Sequence, residues 1–168
     1  MKEYPFQRFA WITLALLSFY GSVTPSRAEK IWTNNASGLW SDGLNWSGHT
    51  PPDITSFIEI TNDNTKTITV DVSATAASLT VQKLTLGAPP GATNTLLLSE
   101  VGTNNPLTFQ TGLEMVDGAD LRITNSAVVM QLTNDHVNID GNLTLDGGFI
   151  FFGYSTLIAR VGRVTCGV

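Results

Sequence analysis

The sequence predicts an all-β fold, a right-handed parallel β-helix closed at its N-terminal end by a Trp-rich cap. Three observations carry this. From residue 57 onward, apolar and polar residues alternate with period two in almost every segment, the signature of strands with one buried face. Turn-forming clusters such as Asp117-Gly118, Asn125-Ser126, Asp140-Gly141 and Asp146-Gly147-Gly148 punctuate those segments at short intervals. Three successive strands also recur as a group at nearly one fixed interval: Leu113/Met115 as Val137/Ile139, Leu121/Ile123 as Leu143/Leu145, and Val128/Met130 as Phe149/Phe151. A three-sided coil requires such a recurrence, because each rung buries its inward face only against its neighbours. The alternative architecture for many short strands is an antiparallel β-sandwich or jelly roll, which does not call for a repeating group of three.

Residues 1–28 read as a signal peptide. Lys2 and Arg8 form a basic start, residues 9–23 form an apolar run, and Ser26 and Ala28 supply the small residues a signal peptidase reads, with cleavage after Ala28. The run is shorter than the roughly 20 apolar residues of a membrane span and is broken by Ser18 and Gly21. The mature chain is therefore expected to be secreted or displayed at the cell surface, with no membrane span of its own.

Residues 29–56 form the expected cap. Trp32, Trp40 and Trp46 sit among Gly, Asn, Ser and Asp, and Pro51-Pro52 closes the segment. The first rung of a solenoid would leave its core open to water, and three tryptophans, each hiding on the order of 150–250 Å², meet that need. Trp rings with polar neighbours such as Asn34, Asn35, Asp42 and Asn45 also suit stacking on sugars. In that second reading Trp40 and Trp46, beside turn-forming residues, are the exposed pair and the candidate polysaccharide site.

Residues 57–168 form the rungs. In 67–72, Ile68, Val70 and Val72 are expected to face one way and Thr67, Thr69 and Asp71 the other. Leu79/Val81 and Leu84/Leu86 follow, with Gln82-Lys83 shifting the phase as a bulge would. Leu96/Leu98 and Leu107/Phe109 come next, and then the recurring group. No segment shows helical periodicity, and 74–78 is compatible with one turn at most. The final segment, 159–168, reads as the start of a further rung, so the chain is expected to be truncated there or to self-associate through an open end.

The spacing W-x7-W-x5-W, with Gly38-Leu39-Trp40 and Asn45-Trp46-Ser47 followed by Asp-Gly-led rungs of L-x-L and V-x-V, resembles the start of bacterial exported proteins that carry autotransporter-associated β-strand repeats, many of which end in a PEP-CTERM sorting tail. The resemblance implies a large surface or secreted β-solenoid of structural or adhesive role. This sequence differs in stopping at Val168 with no sorting tail.

Composition removes several functions. Without residues 1–28 the chain holds six Lys and Arg against thirteen Asp and Glu, a formal charge of −7. The cations are scattered singly, so a nucleic-acid backbone or an anionic membrane is a poor partner. Cys166 is the one cysteine, which rules out an internal disulfide and leaves it to pair with another chain or to act as a small buried residue. His49 and His136 lie far apart and outside any metal-ligand spacing. The serines include no G-x-S-x-G elbow, and no Gly-rich phosphate loop is present. Asp117, Asp120, Asp140 and Asp146 are candidates for a stacked row that binds Ca²⁺ or carries acid and base roles, yet each also occupies an ordinary turn position. No cofactor, no metal and no catalysis are expected. The sequence points to an exported structural or adhesive solenoid, with a carbohydrate-binding module as runner-up and a β-helix polysaccharide lyase or hydrolase third; the last would require a cleft holding two carboxylates and a base.

Overall fold

The computed structural model describes residues 28–131, 136–153, 156–158 and 163–167. The predicted signal peptide lies outside these, except that Ala28 begins the first strand. Twelve strands pair in parallel register to form a β-solenoid of about 5 turns. Among the described residues, no helix is long and apolar enough to cross a membrane.

Three walls stack along the solenoid. The first, side A, is built from β1 (Ala28–Ile31), β3 (Ser56–Ile60), β5 (Thr80–Leu86), the end of β6 (Asn94–Met115), β8 (His136–Ile139) and β11 (Thr156–Ile158). Side B takes β2 (Gly38–Leu39), β4 (Lys66–Val70), the start of β6, the start of β7 (Ala119–Met130), β9 (Asn142–Asp146) and β12 (Arg163–Gly167). Side C takes the start of β5, the 107–109 segment of β6, the end of β7 and β10 (Phe149–Phe152). β6 thus runs through two corners and β7 through one. At the corner between sides B and C, positive φ angles at Glu100 and Gly102 of β6 and at Asn125 of β7 turn the chain, and the register of the two strands shifts.

The core follows from the period-two pattern. Ile58/Ile60, Leu84/Leu86 and Leu113/Met115 point inward from side A, and Ile68/Val70, Leu96/Leu98 and Leu121/Ile123 do so from side B. Side C contributes Leu107/Phe109 and Val128/Met130, and all of these are buried. Register places like on like: Ile68 pairs with Leu96, Leu96 with Leu121, and Leu121 with Leu143. Parallel ladders of this kind leave every strand but the outermost satisfied on both sides.

Rung length is not constant. Along side B the stacked partners run Gly38, Ile68, Leu96, Leu121, Leu143 and Val164, so each rung is shorter than the one before it. From the second rung on, the corner from side A to side B accounts for much of this, shrinking from 87–93 to 116–118 and then 140–141. Positive φ angles turn the chain there at Asn64, Gly91 and Gly118. At Gly118, φ is +75°, and a Cβ would lie 2.8 Å from Ala88 Cβ and 2.9 Å from the Ala92 carbonyl, so both conformation and space demand glycine.

Inside the same corner lies a polar stack. Lys66, 2% exposed, sends its Nζ to the carbonyls of Asn62 (3.1 Å), Asp63 and Asn64 (2.8 Å). In register above it, Asn94 donates to the carbonyls of Asn62 (3.0 Å) and Gly87 (2.6 Å). The lysine ammonium therefore pins a tight turn from within, because three turn carbonyls at a buried corner need donors.

Two expectations about facing are corrected. Val72 lies beyond the end of β4 and is 79% exposed, since the chain leaves the sheet after Val70. Phe149 and Phe151 face outward at 46% and 61% exposure, while Ile150 and Phe152 pack on the core. Side C pairs Val128 with Ile150 and Met130 with Phe152, a single step away from the interval the sequence suggests. Such a slip reverses every side chain of a strand. The phase shift at Gln82-Lys83 is present as a register break between Val81 and Lys83, and 76–79 forms one 3-10 turn. Cys166 lies in β12 opposite Leu145.

Candidate functional site

The tryptophan segment is the cap. Trp32, Trp40 and Trp46 are 1%, 0% and 0% exposed, which corrects the expectation that Trp40 and Trp46 are an exposed pair. The physical reason is the open end of the solenoid: the first rung offers only the short β2 on side B, and the three rings fill the space a full rung would occupy. Trp46 stands edge-on between the other two, at 5.0 Å from each, with interplanar angles of 88° to Trp32 and 80° to Trp40. Trp40 Nε1 donates to the Ser78 carbonyl at 2.9 Å, and Trp46 Nε1 to the Trp40 carbonyl at 2.8 Å. Asn45 is buried as well, donating to the Leu39 carbonyl and accepting from Asn34. Neither Trp40 nor Trp46 presents a face to a sugar.

The aspartates do not form a row. Asp117 and Asp140 sit exposed at successive A-to-B corners, and Asp146 ends β9 at the next corner round. Asp120 is buried on side B, where its Oδ2 accepts from Arg122 Nε at 2.8 Å and pairs with Arg122 Nη2 at 2.7 Å. Among the described residues, no group of three His, Cys, Asp or Glu could hold a metal ion. His49 is exposed in the cap and His136 begins β8, on a different coil.

The structure instead assembles a groove on the outer face of side A. It has a volume of about 390 Å³ and is lined by Glu29, Phe57, Ile58, Glu59, Lys83 and Thr85. Period-two alternation turns all of these but Ile58 outward, because Ile58, Ile60, Leu84 and Leu86 take the inward positions of the same strands. Register then aligns the outward side chains in two rows along the solenoid: Glu29, Phe57 and Lys83 in one, Glu59 and Thr85 in the other, the latter continued by Glu114. Phe57 is half-buried between an acid and a base on adjacent strands.

The charges here are not equivalent. Lys83 Nζ reaches across one rung to Glu114 Oε2 at 2.8 Å, which commits the only cation among the lining residues. Glu59 accepts from Thr61 Oγ1 at 2.7 Å, and Glu29 is exposed. Among the described residues, the groove thus holds two carboxylates outside that ion pair, an aromatic ring between them, and a hydroxyl. Two carboxylates and a base do share one cleft, as a lyase would require, but that base is tied to a third carboxylate.

None of these lining residues stood out in the sequence. Each is an ordinary strand residue, and only stacking the rungs at their true lengths brings Glu29, Phe57 and Lys83 together from three successive coils. Comparison with known proteins finds no family model, no curated protein and no solved structure that matches the chain.

Proposed function

We propose that this protein is an exported structural or adhesive β-solenoid, acting at the cell surface or outside the cell by display rather than by catalysis. The observation that carries the reading is the continuous parallel ladder with flat polar walls. On side B the row Thr69, Leu97, Arg122, Thr144 runs in register through four rungs at the surface, beside a second row in which Thr67 and Asn142 reach solvent while Thr95 and Asp120 are buried. Such a wall repeats its groups every rung, about 4.8 Å, and its stiffness comes from the backbone hydrogen bonds beneath it. An acidic chain with scattered cations supports an extracellular setting. The basic start, apolar run and small residues at Ser26 and Ala28 support export through a cleaved leader.

Expression of the full chain in a bacterial host, followed by N-terminal sequencing of the exported product, tests this. The expected product begins at Glu29 and is found in the medium or as a protease-accessible surface species. Retention of the uncleaved chain in the cytoplasm would sink the reading.

A carbohydrate-binding role is the second reading, and the side A groove favours it. The buried Trp40 and Trp46 do not.

A further inference from the structure

We propose that the outer wall of side C pairs with the same wall of a second copy of this chain, the two solenoids packing antiparallel with Phe151 of each seated in a hollow on the other. The pairing goes beyond the display reading and does not rest on it, since it needs no export.

Leu107, Phe109, Val128 and Met130 face the core on side C, so alternate residues of the same strands face out. Register stacks Thr80, Thr108, Val129 and Phe151 in one outward row, with Ala127 and Phe149 in the next. Among the described residues, no outward strand position on this wall is charged, whereas side A carries Glu59, Lys83 and Glu114 and side B carries Arg122. Phe149 and Phe151 are both exposed. Two adjacent phenyl rings on an uncharged wall are apolar area for a partner to cover.

The same wall holds the counterpart. Where β5 and β6 enter side C, a hollow of about 160 Å³ is lined by Ala76, Leu79 and Pro106 together with the uncharged Thr80, Asn105 and Thr108. About 150 Å³ of apolar space is enough to take a benzene ring. The hollow lies between the first two members of the outward row, and Phe151 is the fourth. Two further rungs separate Thr108 from Phe151, about 10 Å along the coil. A two-fold axis running along the strands near the level of Val129 reverses the coil direction of the second copy and keeps its rows in line. Each Phe151 then meets the other copy's hollow, and the contact closes on itself as a dimer.

Charge selects the same occupant. Two copies, each at −7 without residues 1–28, repel on approach, and through an uncharged wall they meet with their charges set apart. Area sets the strength. Four strands of about three residues present on the order of 200 Å², well below the roughly 800 Å² per partner of a standard interface. The dimer is therefore weak, with Kd on the order of 100 μM, and the dilute chain is monomeric.

Sedimentation equilibrium of the full chain from about 10 μM to about 1 mM, a range that brackets that Kd, tests the pairing. A monomer–dimer equilibrium is expected, with nothing larger. Added salt is expected to preserve or tighten the dimer, because screening reduces repulsion and no ion pair holds the interface. Phe151→Lys is expected to weaken it by at least about tenfold, and Asn105→Glu at the rim of the hollow to weaken it less. An equimolar mixture of the two variants is expected to recover the dimer, because the introduced ammonium and carboxylate meet at one hollow while a native ring fills the other. Far-UV circular dichroism reports that each variant folds.

A chain that stays monomeric throughout overturns the proposal, whatever else the wall then binds. So do assemblies larger than a dimer, a dimer dissolved by salt, indifference to Phe151→Lys, and a mixture that associates no better than either variant alone.

Discussion

Trp46 Nε1 donates a 2.8 Å hydrogen bond to the main-chain carbonyl of Trp40 while its ring meets that of Trp40 edge-on at 5.0 Å. One residue thus closes the core and satisfies the backbone of the turn that leads to it. Trp40 repeats the device one layer deeper, with its own Nε1 on the Ser78 carbonyl at 2.9 Å. The cap is therefore a chain of dependences running from Trp46 through Trp40 to the second coil.

Substitutions should separate packing from hydrogen bonding in that chain. Trp46→Ala is expected to cost about 3–5 kcal/mol, the usual loss for a large aromatic removed from a core. Trp40→Phe keeps most of the ring but leaves the Ser78 carbonyl without its donor, at about 1–3 kcal/mol. Trp32→Phe should cost less than Trp40→Phe, because Trp32 Nε1 is buried without a hydrogen-bond partner among the described residues and none of their acceptors is orphaned by its loss. Urea unfolding of the three variants checks the order; a Trp32→Phe loss exceeding that of Trp40→Phe would contradict it.

Lys66 predicts an unusual pH response. Burial lowers its pKa from the ordinary 10.5, with the nearby Asp63 charge opposing the shift. The folded chain therefore releases this proton before the unfolded chain does. In the window below 10.5 the unfolded state binds more protons, and stability contributed by this site rises with pH. Lys66→Met removes the donor to the turn carbonyls of residues 62–64 and is expected to destabilise by about 1–3 kcal/mol at neutral pH. The variant also lacks the rise, so the gap between the two proteins widens as pH climbs through that window. Parallel pH profiles of the two proteins in urea would show the reverse order of slopes if Lys66 were held as a stabilised cation.

Asp53 works at the other end of the scale. Its Oδ1 accepts from Thr55 Oγ1 at 2.7 Å, Thr55 N at 2.9 Å and Ser56 Oγ at 3.0 Å, fixing the turn that launches β3. The Thr55 bonds are the main cause of a pKa held below the ordinary 3.8. A depressed carboxyl pKa contributes stability that is present above 3.8 and is lost as pH falls through the folded value. Asp53→Asn should cost about 1 kcal/mol at neutral pH and flatten the acid limb of the stability profile. An acid limb as steep as that of the wild type would show that the carboxylate does not anchor the turn.

Much of this fold was legible because its later rungs are nearly uniform. The pairings of Leu121 with Leu143 and of Leu113 with Val137 fall on the intervals visible in the sequence. Earlier rungs are longer and carry wide corners such as 87–93 that hide the same periodicity. The cap was legible as apolar area needing cover, but not the inward turn of Trp40 and Trp46, because flanking Gly, Ser and Asp describe the backbone and not where a ring points. The groove escaped notice for a different reason. Glu29, Phe57 and Lys83 become neighbours only through register, and register depends on the corner lengths that the sequence obscures.

The same dependence on register makes β10 the sharpest test of the assembled coil. Pairing Val128 with Phe149 and Met130 with Phe151 would send both phenylalanines into the core, whereas the observed pairing of Met130 with Phe152 sends them out and turns Ile150 and Phe152 inward. The two registers differ by a single step and exchange the whole set of faces. Phe151→Ser, at a side chain 61% exposed, is expected to change stability by less than about 0.5 kcal/mol. Phe152→Ser removes a ring packed against the core and is expected to cost about 2–4 kcal/mol, somewhat less than a fully buried phenylalanine because Phe152 is only half-buried. Measured by urea unfolding, an inverted pair of values would place β10 in the shorter register and turn the side C wall inside out at that rung.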